Sequence, residues 1–285
     1  MRLILPFFRQ IARWSLGDVV SLLVMLPISV TVLYPLTTMV SLSLRHNAEL
    51  IESNSLIPKN ITFENYVNMW DVAPFPLFFR NSFILALGTV LITCTLAAAA
   101  GYALNRFGFF GHGVIRVWLV YSQILPLIIL IVPVYLLMRF LGLYNKLPGL
   151  LIVYVGITLP FATLLMEGFY GQLPIEMEEA ALVDGANRFQ AWWHVALPLA
   201  RSGILATAIF TFMAVWEELI LALTLTSSRG VRTFPIGLTY YFQQWSTDYA
   251  GFMAAAAVSC VPPTILFGIL GRRFVKGITS GCIKG

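Results

Sequence analysis

Six nearly uninterrupted apolar stretches alternate with short polar connections along the chain, at residues 17–44, 82–104, 114–141, 147–169, 203–226 and 251–271. A helix that crosses a bilayer needs about 20 apolar residues, because it rises roughly 1.5 Å per residue through about 30 Å of hydrocarbon. Each stretch reaches that length, so the pattern predicts an all-α, polytopic membrane protein with six transmembrane helices. Residues 1–16 precede the first span and 272–285 follow the last. The third and fourth spans nearly touch, which requires a tight turn around Leu143–Pro148. Arg2, Arg9 and Arg13 lead into the first apolar run. That run is longer than the ~7–15-residue core of a signal peptide and has no clear small-residue cleavage site, so it is expected to remain as an anchor.

Prolines interrupt several spans: Pro27 and Pro35 in the first, Pro126 and Pro133 in the third, Pro160 in the fourth, Pro262 and Pro263 in the sixth. Each removes a backbone hydrogen bond and bends its helix. Within a membrane such a bend survives only where neighbouring helices or a cavity satisfy the freed carbonyls. The bends suit a bundle that opens around a path, and they also occur in purely structural bundles. No repeat relates the first three spans to the last three, which counts against a carrier built from two matching halves.

Composition agrees with a lipid environment. Only 11% of residues are charged and 59% are hydrophobic, against roughly 25% charged in a soluble domain. The net charge of +5 comes from 18 Lys and Arg residues spread thinly along the chain; this fits charge at a membrane surface, not a nucleic-acid interface. With the amino terminus placed in the cytoplasm, Arg2, Arg9, Arg13, Arg106, Arg116, Arg188, Arg201, Arg272, Arg273, Lys276 and Lys284 lie inside. Arg45, Lys59, Arg80, Arg139, Lys146, Arg229 and Arg232 lie outside. The excess inside predicts that both termini are cytoplasmic. Cys94, Cys260, Cys282, His46, His112 and His194 are isolated and match no metal or redox spacing.

Residues 171–201, between the fourth and fifth spans, are too polar to cross the bilayer and are regularly patterned. Pro174 suits a first helical turn, and Glu176, Glu178 and Glu179 place negative charge near that helix's positive end. Ala180, Ala181, Leu182 and Val183 continue it, and Gly185 is placed to end it in a left-handed cap. Asn187 and Gln190 form a capping pair that opens a second short helix through Phe189, Trp192, Trp193 and Val195, closed by Pro198. Two readings of this turned pair stand from the residues alone: an element that inserts into a groove on another protein, or an interfacial helix resting among headgroups.

Glu179-Ala180-Ala181, then Asp184-Gly185, then Val195-Ala196-Leu197-Pro198 after nine intervening residues, resembles the "EAA" loop of bacterial ATP-binding-cassette importer permeases. Val195 replaces the usual isoleucine, Ser202 stands where proline is expected, and Glu167 stands where a basic residue is common. Across residues 60–285 the chain is similar to the smaller permease of the maltose-importer type, through Asn81-Ser82, Tyr102-Ala103-Leu104, Leu141-Gly142-Leu143-Tyr144-Asn145 and Gly277-Ile278-Thr279-Ser280-Gly281. Trp216-Glu217-Glu218-Leu219 is similar to that group's Trp-Asn-Glu-Phe segment.

The resemblance implies a subunit of a binding-protein-dependent importer for a sugar, oligosaccharide or polyol in the bacterial inner membrane. It implies pairing with a second permease, two ATPase subunits that bind ATP and Mg, and an extracytoplasmic substrate-binding protein. The chain itself has no G-x-x-x-x-G-K-[ST] phosphate loop and needs no cofactor, so it is expected to be a transport subunit and not an enzyme. Coupling to the ATPase is expected at Glu178, Glu179, Ala180, Ala181, Asp184, Gly185, Leu197 and Pro198. Trp216, Glu217 and Glu218 are candidates for the translocation path or its gate, since a charge at mid-membrane costs on the order of 2.5–3.5 kcal/mol; a hydrogen-bonded contact between helices is the other reading. Tyr240, Tyr241 and Trp245 are candidate contacts for the binding protein, or members of an interfacial aromatic belt. An ion-coupled secondary transporter is the alternative function, and only Glu217–Glu218 would serve it as a coupling site.

Overall fold

The computed structural model describes residues 16–52, 55, 57–242 and 248–282. Among them helix dominates: α1 Leu16–Ser43, α2 Asn47–Glu52, α3 Glu64–Val72, α4 Phe75–Arg106, α5 His112–Ile124, α6 Leu127–Phe140 and α7 Leu147–Gly171 come first. They are followed by α8 Glu176–Val183, α9 Arg188–Leu199, α10 Arg201–Trp216, α11 Ile220–Leu225, α12 Phe234–Leu238 and α13 Tyr249–Cys282. Arg2, Arg9, Arg13, Trp245 and Lys284 lie outside the described residues. Two compact units are drawn from Met1–Met69 with Gln243–Ala257, and from Trp70–Phe242 with Val258–Gly285.

Among the described residues, Val20–Ser43, Phe75–Arg106, Leu147–Gly171 and Tyr249–Gly271 are each long and apolar enough to cross a membrane, and two bent pairs, α5–α6 and α9–α10, raise the number to six. The expected third span, 114–141, is not one helix: α5 and α6 meet at 103°. The cause is local. Pro126 precedes the first residue of α6, and Leu125 before it is extended at φ −65°, ψ 122°, as the pre-proline position favours. The expected fifth span, 203–226, also divides, since α10 stops at Trp216 and helix resumes only at Ile220. At the other margins, α4 begins at Phe75 instead of residue 82, and α13 continues beyond residue 271 to Cys282.

In the larger unit, α4 packs most extensively on α7 and then on α10. Its buried positions Phe78, Ser82, Leu85, Thr89, Thr93, Ala97, Gly101 and Leu104 recur every three or four residues and so form one stripe. Most of them are small, which lets helix backbones approach where lipid provides no hydrophobic drive for association. Gly101 marks the closest approach: a Cβ there would stand 2.8 Å from the Glu167 amide nitrogen and from Met166 Cβ.

Polar side chains fasten the end of this unit opposite the 171–201 loop. Asn145 adopts a left-handed φ of 58° in the turn between α6 and α7. Its amide donates to the Leu225 carbonyl at 2.9 Å, and its Oδ1 accepts from the amides of Ser227 and Ser228 at 2.9 and 3.0 Å. Asn81 Nδ2 donates to the carbonyls of Gly230 and Arg232 at 3.0 and 2.9 Å. The neighbouring Ser82 Oγ accepts from the Phe234 amide at 2.8 Å. In the smaller unit, Asn65 Nδ2 donates to the carbonyls of Ser43 and Arg45, and Glu49 accepts from the Lys59 amide at 2.8 Å.

Candidate functional site: the turned helix pair and the broken fifth span

Helix α8 starts two residues after Pro174 and ends in a Schellman turn. Gly185 has φ +93°, its amide donates to the Leu182 carbonyl at 3.1 Å, and the Ala186 amide donates to the Ala181 carbonyl at 3.0 Å. This pairing uses two otherwise orphaned carbonyls and requires a left-handed residue. Among the described residues, no atom lies within 4 Å of a Cβ built on Gly185, so the demand for glycine is conformational and not steric. Helix α9 then opens with a capping box: the Gln190 amide donates to Asn187 Oδ1 and the Asn187 amide to Gln190 Oε1, both at 2.8 Å. A π-helical stretch, Trp192–Ala196, leads on to Leu197 and Pro198.

The adjacent glutamates of α8 face opposite ways. Glu179 is exposed, as are Ala180, Asp184, Gly185 and Pro198, while Ala181 and Leu197 are half-buried. Met177, Val183, Phe189 and Trp193 add exposed apolar surface to the pair. Glu178, by contrast, is 3% exposed. It accepts from Arg106 Nε at 2.8 Å and from the Tyr102 hydroxyl at 2.6 Å. Arg106 also donates to the Leu173 carbonyl at 3.0 Å and to Asn105 Oδ1 at 2.7 Å. Glu178, expected to contact an ATPase, is therefore an internal tie between α8 and the end of α4. A second ion pair lies nearby, with Arg116 on α5 meeting Glu167 on α7.

At the other candidate site the expectation changes. Glu217 and Glu218 do not lie on a continuous helix. Glu217 is the exposed C-cap of α10. Glu218 turns back to cap α11, accepting from the amides of Leu221 at 2.6 Å and Ala222 at 3.0 Å, and from the Tyr154 hydroxyl of α7 at 2.8 Å. Its carboxylate thus stabilises the break by pairing donors that the interrupted helix leaves free. Trp216 is buried, stacks on Phe212 with ring centroids 5.5 Å apart, and donates to the Ser259 carbonyl at 3.0 Å, so in this chain it packs the interior. Tyr241 is also buried, at 2% exposure, against Phe75, which removes it as a surface contact. Tyr240 is half-buried, accepts from Arg232 and packs on Phe78.

Sequence reading missed a recess of about 190 Å³ among α5, α7 and α10, lined in part by Gln123, Thr158, Phe161, Phe210 and Thr211. Its one sequence signal is a glutamine three residues before the proline that breaks the third span.

Residues 92–280 match the family described as "Binding-protein-dependent transport system inner membrane component". The chain is 31% identical over 258 residues to the diacetylchitobiose uptake system permease protein NgcG of Streptomyces coelicolor, covering 90% of this chain and 85% of that protein. It is 33% identical over 254 residues to the sulfoquinovosyl glycerol transport system permease protein SmoH of Agrobacterium fabrum, covering 89% of each. It is 32% identical over 255 residues to the trehalose transport system permease protein SugB of Mycobacterium tuberculosis, covering 89% and 93%. Among solved structures, a chain of a bacterial ABC transporter involved in importing the acidic polysaccharide alginate superposes with a TM-score of 0.77 at 20% identity, over 92% of this chain and 99% of that one, and so shares its fold. The helical architecture and the match over most of the chain agree: this protein belongs to the inner-membrane components of binding-protein-dependent transport systems.

Proposed function

We propose that this chain forms half of the translocation pathway of an ATP-driven importer for a saccharide or a related polyol. The relatives named for diacetylchitobiose, sulfoquinovosyl glycerol and trehalose share glycosidic or polyhydroxylated cargo, which supports that substrate class. A second permease completes the pathway. Two ATPase subunits hydrolyse ATP with Mg, and an extracytoplasmic binding protein delivers the solute. The 171–201 loop faces the cytoplasm in the bacterial inner membrane, with both termini on the same side.

The observation that carries the reading is the division of labour in the turned pair. Glu179, Val183, Phe189 and Trp193 are displayed outward, as an element that docks in a groove requires, while Glu178 is buried against Arg106 and Tyr102. Displacement of α8 by the ATPase is then passed through that tie to α4, and through α9 to α10.

Gly185→Val tests the coupling role. A β-branched residue at a left-handed φ is strained by about 1–2 kcal/mol, and here no crowding adds to it. Membrane insertion and assembly should be normal, while solute uptake and binding-protein-stimulated ATP hydrolysis are both lost. Normal uptake by this variant would refute the coupling role.

A further inference from the structure

The recess among α5, α7 and α10 lies at mid-membrane depth. Thr158 is 11 residues from the start of α7 and 13 from its end, which places it about 16 and 20 Å from the two ends. Thr211 is ten residues into α10, or about 15 Å from the loop end. Gln123 is the penultimate residue of α5, at the margin of the 103° break.

Two independent observations show that lipid is the wrong neighbour for this surface. A primary amide and threonine hydroxyls line a recess otherwise formed by apolar side chains, and polar groups inside a membrane face protein or a water-filled path. The break after Ile124 also ends the i→i+4 ladder of α5, leaving its last carbonyls without helical donors. Irregular backbone at this depth persists only where protein buries it or where it borders a hydrated cavity.

The lining matches one chemistry. Phe161 and Phe210 are exposed, at 43% and 46%, and meet edge to face with centroids 5.8 Å apart. Aromatic faces, which carry partial negative charge, attract the polarised C–H face of a sugar ring. Gln123 offers both a donor and an acceptor, and the Thr211 hydroxyl does the same. The Thr158 hydroxyl commits its proton to the Tyr154 carbonyl at 2.8 Å and lies 3.1 Å from Thr93 Oγ1, so toward a ligand it is an acceptor only. Among the described residues, no ionisable group lines the recess. Its volume of about 190 Å³ is below the ~300–1,000 Å³ of pockets that enclose a whole ligand, so it suits one ring and not an oligosaccharide.

We infer that Gln123, Thr158, Phe161, Phe210 and Thr211 form a subsite through which this subunit itself contacts one neutral pyranose ring of the passing solute. The inference rests on the saccharide-importer reading above and adds a direct contact to it.

The test uses the complete importer, with both permeases, the ATPase and the cognate binding protein, in proteoliposomes. Uptake is first screened with radiolabelled maltose, trehalose, N,N′-diacetylchitobiose and an oligouronide. Thr211→Val and Gln123→Leu should each reduce uptake of the transported saccharide about tenfold, while binding-protein-stimulated ATP hydrolysis stays within twofold. Thr211→Ser should restore uptake. Gly185→Val, in contrast, should lose both activities. Uptake unchanged in both Thr211→Val and Gln123→Leu overturns the subsite and leaves the importer reading intact. Loss of uptake and hydrolysis together in Thr211→Val and Thr211→Ser also overturns it, in favour of a packing role. An unsubstituted importer that moves no saccharide overturns the importer reading, and the subsite with it.

Discussion

Glu178 and Glu179 are neighbours in sequence with opposite surroundings, and substituting each by alanine separates two roles that a shared motif conflates. The Glu178–Arg106 pair is 2.8 Å long, with side chains 4% and 9% exposed. Removing one member of such a buried pair strands the other's charge and costs about 3–5 kcal/mol. Arg106 keeps the Leu173 carbonyl and Asn105 Oδ1, which points to the lower end, about 3 kcal/mol. At roughly 2–4 °C per kcal/mol for a chain of this size, Glu178→Ala should lower the apparent Tm of the solubilised complex by about 6–12 °C. Glu179→Ala removes an exposed side chain and should shift Tm by less than about 2 °C, since surface substitutions stay within roughly 0.5 kcal/mol. Its effect should fall on binding-protein-stimulated ATP hydrolysis instead. A double-mutant cycle of Glu178→Gln and Arg106→Gln adds a second measurement, with a coupling energy of about 1–3 kcal/mol expected for groups in direct contact. Equal Tm shifts for the two alanine variants, or strict additivity in the cycle, would refute the assignment of Glu178 as an internal tie.

Glu218→Gln leaves a single acceptor oxygen where a carboxylate serves the Leu221 amide, the Ala222 amide and the Tyr154 hydroxyl; one buried donor loses its partner, at a cost of about 1–3 kcal/mol. The same thermal assay should show that loss, with Tyr154→Phe milder, and an unshifted Tm for Glu218→Gln would remove Glu218 as the cap of the break. In the smaller unit, the Lys59 backbone amide donates to Glu49 and, with the Asn60 amide and the charges of Arg45 and Lys59, holds its carboxyl below the ordinary carboxylate range against an opposing effect of burial. The folded pKa is depressed, so this stabilisation is present above the unfolded value of about 4.3 and is lost as pH falls through the folded value. Exchange at the Lys59 amide, corrected for its intrinsic rate, should stay protected from pH 7 to 5 and lose protection only below about 4.3; loss between pH 5 and 7 would contradict it.

Apolar runs made the spans legible, because lipid imposes length and composition on any helix that crosses it. The same runs concealed the breaks. Residues 203–226 read as one stretch, yet α10 ends at Trp216, and Glu218 in the break accepts from a hydroxyl on Tyr154, 64 residues earlier. Pro126 was visible as an interruption, but a proline alone does not specify a 103° turn. Within the 171–201 loop the legible features were local ones: the left-handed Gly185 and the Asn187–Gln190 capping box depend on residues within a few positions of each other. The direction in which Glu178 points was not legible, because it is decided by Tyr102 and Arg106, 76 and 72 residues away. Trp216 and Tyr241 illustrate the same limit, since aromatic side chains near a membrane boundary serve interiors as readily as surfaces, and both are buried here.

The knots tied by Asn145 and Asn81 carry a mechanical consequence. They stitch the α6–α7 turn to the segment after α11, and the start of α4 to the residues preceding α12. That rim resists shear, whereas the interruptions at residues 125–126 and 217–219 lack continuous ladders. A torque applied from the 171–201 end would therefore be absorbed as bending at those two joints, with the stitched rim travelling as a single plate.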